Sequence, residues 1–194
     1  MWQGPARWLL YRCMGWQKCI TEQHPDKYII CLAPHTSNHD FLLGTLYRLA
    51  EGWRVNFLMK KEWFFFPLGW IFKRMGGIPV HRSTRTNLTQ QLVQAAQERE
   101  WFHLCVTPEG TRSRTNHWRH GFYHIANQAG MPILLYALDY SKKNIQCTKT
   151  IIPTGDLKAD MGIINDYFRN CVGKHPEKFA LDESLDDKPV ETKS

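Results

Sequence analysis

The chain has 194 residues, 43% of them hydrophobic and 13% aromatic, which excludes a disordered protein and suits one domain with a substantial core. Its formal charge of +7 calls for anionic partners, but no helix-turn-helix, RNA-recognition or zinc-finger pattern accompanies it, so nucleic acid is not expected among them. The six cysteines, Cys13, Cys19, Cys31, Cys105, Cys147 and Cys171, include no CxxC pair and read as reduced thiols of a cytoplasmic protein.

Taken in chain order, the first element interleaves Trp2, Trp8, Leu9, Leu10, Tyr11, Met14 and Trp16 with Arg7, Arg12 and Lys18. It reads as a short amphipathic helix, lying in a membrane interface or packed on the domain's own core. It lacks the uninterrupted apolar region of a secretory signal, and the most apolar stretch, 63–72, is short and broken by Pro67 and Gly69. A membrane span needs about 20 apolar residues, so none is expected.

Strands are expected over 28–33, 55–59, 78–80, 102–107, 133–138 and 147–152, with helices near 41–50, 62–73, 87–99 and 120–129. Gly130 is a helix stop. This cadence predicts an α/β fold, a single domain with a mostly parallel central sheet flanked by helices. Its ligands would sit beyond the carboxyl ends of the strands. The expected boundaries are the amphipathic segment over 1–24, the domain over 25–179, and an acidic, disordered tail over 180–194. The tail holds five acidic and two basic residues, so the body before it is more basic than the whole chain.

The loop after the first long strand reads Pro34-His35-Thr36-Ser37-Asn38-His39-Asp40. Five steps along a continuous helix turn a side chain by roughly 140°, which would part His35 from Asp40. They meet if His35 lies in the loop and Asp40 on the first helical turn, with Ser37 or Asn38 as the cap. An imidazole held by a carboxylate takes a proton from a hydroxyl. Two other readings stay open on these residues alone: metal ligation by His35, His39 and Asp40, or a polar cap loop that happens to contain histidines.

Two further loops carry chemistry. Gly76-Gly77-Ile78-Pro79-Val80-His81-Arg82 ends a short strand on a guanidinium, and Thr107-Pro108-Glu109-Gly110-Thr111-Arg112-Ser113 follows a strand with a carboxylate and a second arginine. A guanidinium fork binds two phosphate oxygens at once and stays charged. A base beside two such arginines describes a site that deprotonates a hydroxyl on a phosphorylated molecule.

With these motifs in this order, the chain resembles the glycerolipid acyltransferases typified by the 1-acylglycerol-3-phosphate acyltransferases. The likeness spans roughly 28–140 and includes an apolar block around Pro132, preceded by Trp118-Arg119-His120-Gly121-Phe122 where the family has a basic residue and a glycine. It implies a glycerol-3-phosphate acyltransferase-like fold, with His35 as general base and Asp40 fixing its tautomer. Arg82 would bind phosphate, while Glu109, Gly110, Thr111 and Arg112 would bind the acceptor. The acceptor hydroxyl would attack the thioester of acyl-CoA or acyl carrier protein directly, with no metal and no other cofactor. The implied partners are a lysophospholipid, foremost 1-acylglycerol-3-phosphate, and an anionic membrane surface on the inner face of the cell membrane.

Pro34 stands where the family often has asparagine, and Thr107 where it usually has phenylalanine, so another lipid acceptor stays open. A catalytically silent membrane-binding relative is the rival reading. Two further features have double readings. His120 and His124 share a helix face and could join His35 and His39 at a metal; the aromatic run 63–70 is core, or the wall of an acyl or membrane surface.

Overall fold

A computed structural model describes residues 2–74, 76–80 and 85–185. Its main sheet has six strands: β1 (Gln17–Ile20), β2 (Lys27–Ala33), β5 (Phe102–Val106), β6 (Ile133–Asp139), β7 (Asn144–Cys147) and β8 (Thr150–Ile151). The order is β1-β7-β6-β2-β5, with β8 also pairing β6. β2 runs parallel to both β5 and β6, and β1 to β7, whereas β7 and β8 lie antiparallel to β6.

Apart from Lys27 and Asp139 at their ends, β2 and β6 are apolar because both of their faces are covered. Ile29, Cys31 and Ala33 join Ile133, Leu135 and Ala137 in one core cluster, while Tyr28 and Ile30 join Leu134, Tyr136 and Leu138 in the other. The first face is covered by α4 (Arg85–Gln97), α5 (Gly121–Ala129) and α6 (Leu157–Phe168). The second is covered by α2 (Asn38–Glu51) and the N-terminal segment. Each side chain of this size that is fully buried contributes about 1.5–3 kcal/mol of transfer free energy.

The N-terminal segment is α1 (Gln3–Arg7) continued by a π-helical turn, Trp8–Cys13. Ala6, Leu10 and Trp16 are buried against the core, and Trp2, Trp8 and Leu9 face outward. Lys18 and Tyr11 both donate to the Glu51 carboxylate, tying the segment to the end of α2.

The fold departs from the sequence expectations at several elements. The strands expected over 55–59 and 78–80 form a separate parallel pair, β3 (Phe57–Lys60) with β4 (Gly77–Val80). Asn56 stitches this pair to the main sheet, pairing with β5 and bonding Gly76 O and His103 N through its buried amide. The helix expected over 62–73 is shortened to α3 (Leu68–Arg74), because Pro67 blocks its earlier start. The strand expected over 147–152 is split into β7 and β8. The tail expected from Ala180 is docked for its first residues: Leu181 and Leu185 pack on the core and Asp182 is 5% exposed. Residues 186–194 lie outside the described chain. Among the described residues no helix is long and apolar enough to cross a membrane.

Candidate active site

Cys31 of β2 pairs with Val106 of β5, so the loops leaving their carboxyl ends emerge side by side. The first loop turns into α2 through Ser37. Its hydroxyl accepts from His39 N at 3.2 Å, and its own N–H donates to Asp40 Oδ2 at 2.8 Å, a reciprocal capping box. Thr36 N donates to the same oxygen at 2.8 Å. This turn brings His35 Nδ1 to 3.3 Å from Asp40 Oδ2.

Asp40 is 1% exposed, and the Tyr140 hydroxyl donates to its other oxygen, Oδ1, at 2.7 Å. Burial works to raise the Asp40 pKa. The adjacent His35 imidazole and the bonds from Tyr140 and Ser37 outweigh it and hold the carboxyl below its usual value. The group is ionised at neutral pH and can only accept. The His35 contact is close but off-axis, since the buried Nδ1 meets no acceptor in hydrogen-bonding geometry. Hydrogen bonds between a histidine and a carboxylate in apo sites are often long or poorly aligned and tighten in the reacting complex.

The family likeness places Glu109 against the acceptor. Its carboxylate is turned instead on the neighbouring loop, with Oε1 and Oε2 each 3.0 Å from the backbone nitrogen of His35. Burial pushes Glu109 up to about 7; the His35 N–H opposes this and the Asp40 charge adds to it. What Glu109 fixes is the backbone that carries His35.

Gly110, Thr111 and Arg112 do open outward. With His35, Thr107 and Ser113 they line a polar cavity of about 460 Å³, within the usual size range for small-molecule sites. Arg112 donates through Nη1 to Asn38 Oδ1 at the start of α2. Arg82 and His81 lie outside the described residues.

Three supports of this site are not evident from the sequence. Tyr140 holds Asp40 and is packed edge-on by Trp16 at 5.1 Å. Thr36 accepts from His175 N at 3.1 Å, and Gly173 backs directly onto Thr36 and Pro34. A second, apolar cavity of about 280 Å³ shares Tyr140 and His39 with the site and is otherwise lined chiefly by Trp16, Leu42, Leu43 and Leu46. Among the described residues no three His, Cys, Asp or Glu side chains gather as a metal site, and His120 is engaged by Asp182.

A protein-family model described as Acyltransferase matches residues 18–138, more than half of the chain. The chain belongs to the acyltransferase family. No curated protein matches it. The family match contains His35, Asp40, Glu109 and Arg112 and stops short of Tyr140 and the docked C-terminal segment. Membership of this family implies an acyl donor and an acceptor substrate.

Proposed function

We propose that this acyltransferase moves a fatty acyl group from acyl-CoA or acyl carrier protein onto the hydroxyl of a lysophospholipid, 1-acylglycerol-3-phosphate above all. The observation that carries this reading is the His35–Asp40 pair opening on a polar cavity that also presents Arg112. The pair supplies a base, and the guanidinium supplies a cation for phosphate. Arg82 would add a second, as the family likeness implies.

With Nδ1 turned to Asp40, Nε2 is left for the acceptor. It takes the hydroxyl proton as the oxygen attacks the thioester carbonyl carbon. The C–S bond then breaks, and the imidazolium returns its proton to the leaving thiolate, giving an ester and a free thiol. Asp40 stays ionised and stabilises the imidazolium between these steps. No acyl-enzyme and no further cofactor enters the scheme.

A lipid acceptor also suits the surface beside the site. Phe41 and Leu42 follow Asp40 on α2 and are 72% and 63% exposed, and Trp2, Trp8 and Leu9 of the N-terminal segment, which packs on α2, are exposed as well. The apolar cavity between α2 and Trp16 offers room for hydrocarbon. Arg7 and Arg12 are exposed on the same segment and match anionic headgroups. On this reading the protein lies peripherally on the inner face of the cell membrane.

The test is to supply long-chain acyl-CoA with lysophosphatidate, monoacylglycerol or glycerol 3-phosphate and identify products by mass spectrometry. Phosphatidate formed in preference to the other products supports the proposal. Transfer confined to the neutral acceptor, or to none of the three with either donor, contradicts it.

A further inference from the structure

We propose that Arg119 is a second described guanidinium of the acceptor cavity, held over Gly110 by the docked Asp182. The inference rests on the reading of that cavity as a phosphate site and adds a residue and its support.

The chain between β5 and α5 doubles back on itself. Gly110 N donates to Thr107 O at 3.1 Å, and Arg119 N donates to Pro108 O at 2.7 Å, which sets Arg119 across a narrow neck from Gly110. Gly110 has φ +65°, and a Cβ built there would lie 2.7 Å from Arg119 Nε and 3.1 Å from its Cζ. The guanidinium therefore lies against the Gly110 backbone, and Gly110 itself lines the cavity. Arg119 is exposed and forms no ion pair among the described residues, so its charge is available to a ligand.

Asp182 grips the residues on both sides of Arg119. Trp118 N donates to Oδ1 at 3.0 Å, and His120 Nε2 lies 2.6 Å from Oδ2. Trp118, 4% exposed, also donates its indole N–H to Ala180 O at 3.0 Å. Asn165 clamps Asp182 in turn, accepting from its N at 3.1 Å and donating to its O at 2.7 Å. Ser184 adds its hydroxyl to Oδ1 at 2.7 Å. A free arginine side chain loses about 2 kcal/mol of rotamer entropy on immobilisation, so a fixed backbone and a packed guanidinium lower the cost of binding. Arg112 and Arg119 would then face one anion from positions two and nine residues past Gly110 in the same folded-back loop. A phosphomonoester headgroup is the ligand chemistry that two guanidiniums fit.

The test is equilibrium binding of lysophosphatidate and of monoacylglycerol to the full chain, below their micelle concentrations, read by tryptophan fluorescence. Wild type should prefer the phosphorylated lipid. Arg119→Gln should weaken that lipid by about tenfold, the scale of one charge-assisted contact, and leave the neutral one unchanged. Arg119→Lys should recover part of the loss, and Asp182→Asn should show the same selective loss. If Asp182→Asn does not fold, the Arg119 variants still decide the matter. Arg119→Gln binding like wild type, equal losses for both lipids, or a wild type without preference would overturn the proposal. A wild type that binds the phosphorylated lipid selectively but transfers no acyl group would contradict the enzymatic reading alone.

Discussion

The Tyr140 hydroxyl donates to Asp40 Oδ1 at 2.7 Å from one hundred residues further along the chain. It leaves Oδ2 for Thr36, Ser37 and the imidazole of His35. The carboxylate is thus fixed from both ends, and the ring of Trp16 fixes Tyr140. In this way the N-terminal segment is connected through Trp16 and Tyr140 to the proposed catalytic pair.

Tyr140→Phe removes one donor from a buried carboxylate. Asp40 has a depressed folded pKa, so its contribution to stability is present above the ordinary carboxylate value and is lost as pH falls through the folded one. With burial less opposed, the Asp40 pKa rises and the loss begins at higher pH. The variant should lose about 2 kcal/mol at neutral pH, the worth of a hydrogen bond to a charge, and roughly tenfold in kcat/KM. Urea midpoints measured from pH 3 to 8 check this; curves that coincide with wild type would show that Tyr140 does not support Asp40.

Glu109 predicts the opposite slope. Its pKa rises from 4.5 to about 7 on folding, so between those values the folded protein holds a proton that the unfolded chain has released. Stability therefore falls as pH rises through that window. Glu109→Gln should flatten the slope and keep kcat within about threefold, because an amide oxygen still accepts from His35 N. Glu109→Ala should lower kcat much further, leaving that N–H unpaired at a cost of about 1–3 kcal/mol. Equal activity of the two variants would mean that the bond to His35 has no catalytic consequence.

Gly173→Ala tests the support behind the catalytic loop. The added methyl would lie 2.9 Å from Thr36 Oγ1 and 3.1 Å from Pro34 Cβ, pressing on the two neighbours of His35. Small displacements of a base cost much in rate and little in binding, so kcat should fall about tenfold with KM almost unchanged. A variant with wild-type kcat would show that the loop yields without moving His35.

The parts of the fold legible in the sequence are those where one element faces one environment. β2 and β6 are continuous apolar runs because both faces are buried, and Gly130 does stop α5, at φ +63°. β1 is not legible, because three of its four side chains are exposed and no alternation marks it. α6 has a readable signal in Leu157, Met161, Ile164 and Phe168 at helical spacing after the Asp156 cap, but it follows the strand–helix cadence used to define the domain. His35 and Asp40 are legible because their meeting is local, set by the turn at Ser37. Tyr140, the direction of Glu109 and the docking of Asp182 depend on contacts spanning 62 to 100 residues, which no local pattern encodes.

The most direct test of the account is thiol release from a long-chain acyl-CoA with and without lysophosphatidate, comparing wild type with His35→Ala. Wild type should show acceptor-dependent release, and the variant a loss of at least about a thousandfold, the upper range for removing a general base, with the melting temperature preserved. Release that persists in folded His35→Ala would contradict the assignment of His35 as the base.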